Sequence, residues 1–145
     1  MESAQTLFLL EHDSLNACAG LAHAFLCRDP DINVAIPKME AIERLADAYR
    51  QGAERLGFSW DQLQMAAQTH GSGLAIVDEP LGGIQALPSV DGLLTDKPGV
   101  LLAIMVADCC AVSLVDPRHR AIALLHSGKR GTEANITGKA IQHMA

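Results

Sequence analysis

The stretch Gly99–Gly131, GVLLAIMVADCCAVSLVDPRHRAIALLHSGKRG, contains three short apolar runs that predict the central strands of the fold. The runs are Val100–Val106, Ala111–Val115 and Ala121–Leu125, and each is bounded by polar or turn-forming residues. Buried strands typically have short runs of this kind, which are rich in branched side chains and end at polar or turn-forming residues. The turn residues at Asp116–His119 predict that the second and third strands form a hairpin.

Side chains that bind metals follow these runs, where a sheet can hold them in place. Cys109 comes after the first run, and His126 comes directly after the third. A third candidate, His70, follows another apolar run, Leu63–Ala67. Imidazole and thiolate are common zinc ligands, and a catalytic zinc site takes three of them and keeps a fourth position open for water. We therefore predict a cleft in which His70, Cys109 and His126 meet.

The spacing of these three residues leaves other interpretations open. The separations along the chain match no short-range zinc-finger pattern. One alternative is that Cys109 is a small buried residue and that hydrogen bonds hold both histidines. Another is a papain-like pair in which Cys109 is the nucleophile and His126 the base. That alternative ranks lower, because the chain has no recognisable oxyanion signature.

Charged residues beside the candidate ligands suggest two further roles. Asp108 is placed to act as an acid–base group or as a partner of a metal ligand. The loop Ser127–Gly131 carries Lys129 and Arg130 and leads into a predicted helix, so it is a candidate site for phosphate or a carboxylate. It lacks the glycine-rich lead of a Walker A loop. A basic surface turn is the alternative interpretation.

The composition limits the class of protein. The chain has 145 residues, enough for one domain with a core, and 49% of them are hydrophobic. A formal net charge of −6 argues against a nucleic-acid or anionic-membrane partner. No apolar run approaches the roughly 20 residues of a membrane span. The N-terminus does not resemble a secretory signal, so we expect a cytoplasmic protein whose four cysteines are thiols or ligands.

The remaining periodicity predicts an α/β fold, a mixed sheet with flanking helices. Met39–Leu56 is predicted as an amphipathic helix because its apolar residues keep helical spacing. Thr132–Met144 is predicted as a second helix with Thr132 as its N-cap. Loops are expected at residues 13–20 and 78–89. Further strands are predicted at Thr6–Leu10, Leu21–Cys27, Gln62–Gln68, Leu74–Val77 and Asp91–Thr95.

Several ordered motifs resemble those of one known family. In chain order they are Gln68–Gly71, Asp91–Thr95, Pro98–Val100, Ala107–Cys109, Asp116–Pro117 and His126–Gly131. They follow the pattern of the YfiH-like family, also called the laccase-domain, multicopper polyphenol oxidase or purine nucleoside phosphorylase family. His23–Phe25 and Arg28 resemble an early strand of the same family, so the resemblance covers about residues 23–145.

This resemblance implies an activity and a cofactor. It implies a zinc ion held by His70, Cys109 and His126, with copper as the alternative. It also implies phosphorolysis of purine nucleosides, with adenosine deamination and methylthioadenosine phosphorolysis as companion activities. Copper-dependent phenol oxidation is the alternative function. The expected partners are a purine nucleoside, phosphate and, in a homodimer, a second copy of the chain.

The residues themselves and the resemblance together give the candidate roles of individual residues. Cys109, Asp108 and Arg130 become the candidate catalytic residues. Arg28 and Lys129, again with Arg130, become candidates for binding substrate or phosphate.

The sequence departs from the family pattern in several places. Lys129 stands where the family usually has tryptophan, and Cys110-Ala111 replaces Leu-Pro. The family's glycine-rich turn after Arg28 and its later Gly-Pro-Cys-Cys segment have no counterpart here. We therefore expect residues 1–145 to form a single YfiH-like domain that lacks the family's C-terminal part. A non-catalytic metal-binding fragment is the alternative.

Overall fold

A computed structural model describes residues 9–145 of the chain. They fall into two compact units, one that ends at Trp60 and one that spans Asp61–Ala145. A short 3-10 helix, Trp60–Gln62, spans this boundary in the sequence. Most of the predicted strand Thr6–Leu10 lies outside the described residues, and only its last two residues are seen in a strand.

The first unit is built around one long helix. Its elements are β1 (Leu9–Leu10), α1 (Asp13–Asn16), β2 (Phe25–Leu26) and α2 (Lys38–Arg55), and β1 pairs with β2 in an antiparallel ribbon. The predicted helix is confirmed, and Ala41, Ile42 and Ala53 are buried on its apolar face.

Two predictions for the first unit are wrong. The predicted strand Leu21–Cys27 shrinks to the two residues of β2, because only these pair with β1. The predicted loop 13–20 begins with the helical turn α1, in which the backbone N–H groups of Leu15 and Asn16 both donate to the carbonyl of His12.

The second unit contains two sheets. A parallel sheet has the order β5 (Ala86–Leu87), β3 (Leu63–Ala66), β7 (Leu101–Ala103). A mixed sheet has the order β4 (Leu74–Ile76), β6 (Gly92–Thr95), β9 (Ala121–Ser127), β8 (Cys110–Asp116). The predicted mixed α/β architecture is therefore confirmed. The predicted loop 78–89 is wrong at its end, where Ala86–Leu87 pairs with β3.

The predicted hairpin joins β8 to β9. Its register runs from Cys110 opposite Ser127 to Asp116 opposite Ala121. At the turn, the Asp116 carboxylate accepts the backbone N–H groups of Arg118 and His119, and it pairs with the His119 ring at 2.6 Å. This register places Cys109, the residue before β8, beside the end of β9.

The strand β6 holds the second unit together, because all four of its residues are buried. Leu93 packs in a cluster with Ala66, Val77, Val100 and Leu102, whereas Leu94 packs with Ala123, Leu125, Ile136 and Ala140. Since neighbouring side chains of a strand point to opposite faces, β6 contributes to two apolar clusters at once.

The C-terminal segment forms two helices instead of the single predicted one. They are α3 (Lys129–Glu133) and α4 (Ile136–Met144). Asn135 separates them, because its backbone is left-handed (φ 57°) and its side chain accepts the Gly138 N–H as the N-cap of α4. Asparagine tolerates this conformation better than most residues. Thr132 is therefore inside α3 and is not an N-cap.

Within residues 9–145, no helix combines the length and apolar character that crossing a membrane requires.

Candidate metal centre

The three predicted metal ligands come together in the second unit. His70 lies in the loop between β3 and β4, Cys109 directly precedes β8, and His126 is the penultimate residue of β9. One ligand atom from each residue lies within 4.8 Å of the others. Small side-chain movements would bring all three to one ion at about 2.0–2.3 Å.

The three side chains of this cluster differ in their exposure to solvent. His126 is buried at 4% exposure, Cys109 is half-buried, and His70 is exposed. The rings of His70 and His126 meet edge to face, with centroids 5.2 Å apart. The cluster is therefore anchored in the sheet and open to solvent on the side of His70, as a catalytic site with a free coordination position would be.

Asp91 fixes the orientation of His126. The Nδ1 atom of His126 lies 2.8 Å from Oδ2 of Asp91, and the Asp91 side chain is fully buried. Because the carboxylate occupies Nδ1, the Nε2 atom of the same ring is left for a metal. Such a carboxylate–histidine pair sets the tautomer and raises the basicity of a ligand histidine.

The same carboxylate also holds the loop that carries His70. Oδ1 of Asp91 accepts the backbone N–H groups of Thr69 and Gly71 at 2.9 and 3.0 Å, and Oδ2 accepts that of His70 at 3.0 Å. The hydroxyl of Thr69 contributes a further bond at 3.2 Å. One buried side chain therefore positions both histidines.

These contacts determine the charge of Asp91. Burial alone would raise the pKa of its carboxyl group. The hydrogen bonds from His126, Gly71 and Thr69 outweigh burial, and the pKa lies below its ordinary value of 3.8. The group is therefore an ionised acceptor at neutral pH.

Asp91 was not predicted as a site residue, although it is the first residue of the family motif Asp91–Thr95. The available signal was its position directly before the apolar strand β6. A carboxylate at the edge of a buried strand needs hydrogen-bond partners, since an unpaired buried charge is strongly unfavourable.

Cys109 has close neighbours on both sides. Its Sγ lies 3.9 Å from Oδ1 of Asp108, and a Cβ added to Gly128 would lie 3.0 Å from the same sulfur. Glycine at position 128 therefore leaves room for the thiol. Partial burial and then the charge of Asp108 raise the pKa of Cys109.

A cationic cavity opens beside the cluster. It has a volume of about 410 Å³ and is lined by Thr69, His70, Lys129 and Arg130. Lys129 and Arg130 lie in the first turn of α3, earlier than the helix start predicted at Thr132. A hydrogen bond of 2.8 Å between the hydroxyls of Ser127 and Thr132 links the end of β9 to this helix.

One candidate residue belongs to the first unit. Arg28 is an exposed residue of the first unit, between β2 and α2. Its role in binding substrate stays a prediction. Asp108, by contrast, is exposed next to Cys109 in the second unit.

Comparisons with known proteins identify the family. Residues 30–145 match the family described as multi-copper polyphenol oxidoreductase laccase. The chain is 33% identical over 94 residues to purine nucleoside phosphorylase ORF3 of Streptomyces griseus, and 34% identical over 107 residues to adenosine deaminase RL5 of an unknown prokaryotic organism. These alignments cover 65% and 70% of this chain.

Solved structures give the same result for the fold. The crystal structure of YlmD from Geobacillus stearothermophilus superimposes with a TM-score of 0.65 at 34% identity, over 70% of this chain and 40% of YlmD. The chain covers 38% and 41% of the two sequence relatives, so it spans about two fifths of the proteins that it matches. The family match begins after His23–Phe25 and Arg28, so it does not include that part of the predicted resemblance.

The family description and the His-Cys-His cluster both indicate a metal, without determining which one. The resemblance that the ordered motifs predicted is confirmed: the chain belongs to the multi-copper polyphenol oxidoreductase laccase family, which includes the YfiH and YlmD proteins.

Proposed function

We propose that the chain belongs to a zinc-dependent enzyme of the purine nucleoside phosphorylase and adenosine deaminase type, acting on adenosine, inosine or methylthioadenosine. The observation that carries this proposal is the convergence of His70, Cys109 and His126 beside a cavity lined by Lys129 and Arg130. The names of two relatives, purine nucleoside phosphorylase ORF3 and adenosine deaminase RL5, support the substrate class.

His70, Cys109 and His126 would hold the zinc ion. The donor set fits, because two imidazoles and a thiolate are typical zinc ligands, and the buried Asp91 already orients one imidazole. When bound, zinc would supply Lewis acidity and lower the pKa of water toward neutrality. The exposed position of His70 would keep the site accessible to a nucleoside.

Lys129 and Arg130 are proposed to bind phosphate. Their two positive charges lie on the wall of the cavity that His70 also lines. The chain as a whole is acidic, with a formal net charge of −6. A guanidinium group pairs with phosphate oxygens through two parallel hydrogen bonds, whereas an ammonium acts as a point charge. Arg130 is therefore the residue proposed to orient phosphate for attack on the sugar carbon that bears the purine.

Asp108 is proposed to supply the proton that the departing purine takes up. In phosphorolysis, a phosphate oxygen bonds to the sugar carbon, the carbon–nitrogen bond breaks, and the purine nitrogen takes up a proton. Asp108 is exposed next to Cys109, so its carboxyl group can exchange protons with solvent. Arg28 stays proposed as a further contact to the substrate.

A turnover assay tests this proposal. The chain loaded with zinc is incubated with inosine or adenosine, with and without phosphate, and free base, sugar phosphate and deaminated product are measured. We expect base release that depends on phosphate and is lost in Cys109→Ala. Arg130→Ala should raise the KM for phosphate about tenfold or more, and Arg118→Ala, at the distant hairpin turn, should not. Absence of turnover with zinc bound would contradict an activity of this chain.

The family description favours a second candidate, a copper-dependent polyphenol oxidase. In the described part of the chain, one cluster of three metal-binding side chains is found. A true laccase needs several copper ions, so one metal per chain would argue against this candidate. This candidate function is tested by measuring the copper content of the chain and the oxygen that it consumes with a phenol. Bound metal without either activity would instead indicate the non-catalytic fragment.

We propose a homodimer, which sedimentation of the metal-loaded chain tests. A monomer at the concentrations of the turnover assay would contradict it.

A further inference from the structure

We propose that Gln68 is a positioning residue for the metal centre, because its side chain ties together the two loops that carry His70 and Cys109. This inference rests on the metal centre of the proposed function. It concerns a residue two positions before His70 whose side chain is not among the metal ligands.

The side chain of Gln68 pairs with both polar backbone atoms of Met105. Its Nε2 donates to the Met105 carbonyl at 2.7 Å, and its Oε1 accepts the Met105 N–H at 2.7 Å. Gln68 is buried, with 7% exposure. A planar amide that offers one donor and one acceptor to the same residue imitates a strand's backbone pairing.

This pairing extends the contact between β3 and β7 beyond the point where their backbones separate. The last registered pair of the two strands is Met65 with Ala103. Past that pair, the chain after β3 leads to His70, and the chain after β7 leads to Cys109. The amide of Gln68 is therefore a bridge at the base of both ligand-bearing loops.

The backbone at Gln68 is also held in place. Its N–H donates to the carbonyl of Val90 at 2.9 Å, one residue before Asp91. Its φ is 59°, a left-handed conformation that is unfavourable for a side chain of this type. Such a conformation persists where surrounding contacts enforce it, and the pair of bonds to Met105 is a contact of this kind.

The chain offers a matched control in Gln64. This residue is also a buried glutamine, at 0% exposure, and its Nε2 donates to the carbonyls of Met65 and Gln85. Its Oε1 accepts the Leu81 N–H at 2.8 Å. These bonds lead away from the loops of His70 and Cys109. Gln64 therefore matches Gln68 in burial and bonding and differs in what it connects.

Titration with Co²⁺ tests the inference on the full chain. The thiolate charge-transfer absorption reports the bond to Cys109, and the visible bands report the geometry of the site. In Gln68→Met the donor and acceptor are lost at similar volume, and we expect Co²⁺ affinity to fall about 10- to 100-fold with a weaker charge-transfer band. Gln64→Met should lower thermal stability by a comparable amount while changing Co²⁺ affinity less than about twofold.

A second variant covers the case in which Gln68→Met does not fold. Gln68→Asn keeps one donor and one acceptor on a side chain that is shorter by one methylene group, so it can make only part of the pairing with Met105. Asparagine also tolerates the left-handed backbone at this position, and the affinity of this variant should fall between those of the wild type and Gln68→Met. Unchanged affinity and spectrum in a folded Gln68 variant would overturn the inference, as would an equal loss in Gln64→Met. If the wild-type chain gives no thiolate band at all, the proposed metal centre itself fails and this inference fails with it.

Discussion

At the scale of single residues, the centre depends on one carboxylate as much as on its three candidate ligands. Asp91 joins His126 to the loop of His70, and Gln68 joins that loop to the segment that leads to Cys109. Both are buried, and both act through hydrogen bonds to other segments of the chain.

Replacing Asp91 by asparagine should weaken metal binding. The amide has nearly the same shape, but it brings an N–H group against backbone donors and no longer fixes the tautomer of His126. We expect metal affinity to fall about 10- to 100-fold, and stability to fall by about 1–3 kcal/mol or more. Isothermal titration with zinc and urea unfolding measure these two effects.

Asp96→Asn is the control for this experiment. Asp96 is an exposed carboxylate of the same unit, paired with Lys97 at 3.2 Å. Its replacement should change neither the metal affinity nor the stability by much, because exposed ion pairs contribute little to stability. Wild-type zinc affinity in Asp91→Asn would show that the buried carboxylate does not support the centre.

The ligand residues and the supporting residues differ in how far the sequence predicts them. His70, Cys109 and His126 follow apolar runs and match family motifs, so their convergence was expected. The roles of Asp91 and Gln68 depend on which distant backbone groups lie beside them, and pairing of this kind is set by the register of the sheet. No local pattern encodes it.

At the scale of elements, the hairpin of β8 and β9 was the best predicted feature, because both its strands and its turn have strong local signals. The break between α3 and α4 was missed, since the apolar spacing continues past Asn135. The pairing of β5 was missed for another reason. A strand of two residues forms because it pairs with β3, and the strand propensity of its own residues does not predict it.

The hairpin turn should weaken in acid. The hydrogen bond from His119, followed by backbone N–H donors, holds the pKa of Asp116 below its ordinary value of 3.8. A carboxylate with a lowered pKa stabilises the fold above its unfolded pKa, and this stability is lost as pH falls through the folded pKa. The stability gap between wild type and Asp116→Asn should therefore shrink as the pH falls below about 4.

Urea unfolding across this pH range measures the gap. In His119→Ala, an NMR titration should show the pKa of Asp116 moving back toward 3.8, because the largest cause of the shift is removed. A gap that does not change with pH would contradict this account of the turn.

Glycine at position 92 of the buried strand β6 leaves room for two leucine side chains. A Cβ added there would lie 2.5 Å from a methyl carbon of Leu74 and 2.7 Å from one of Leu125. Gly92→Ala should therefore destabilise the fold by about 1–3 kcal/mol, the usual cost of overpacking. Gly71→Ala is the control for stability, since its nearest contact would be an ordinary 3.6 Å. Equal melting temperatures for the two variants would contradict the argument.

At the scale of the whole molecule, the chain combines a His-Cys-His cluster with about two fifths of the length of its relatives. The sequence predicted the mixed α/β class and the family, because the ordered motifs recur along the whole second unit. It did not predict that the strands divide into two sheets, since this division depends on how the strands between Leu63 and Ser127 pair.

X-ray absorption of the metal-loaded chain shows whether His70, Cys109 and His126 bind one metal ion together. We expect one zinc ion per chain with one sulfur ligand at about 2.3 Å and two imidazole nitrogens at about 2.0–2.1 Å. In Cys109→Ala the sulfur contribution should disappear. Substoichiometric metal, or a spectrum without sulfur in the wild-type chain, would contradict it.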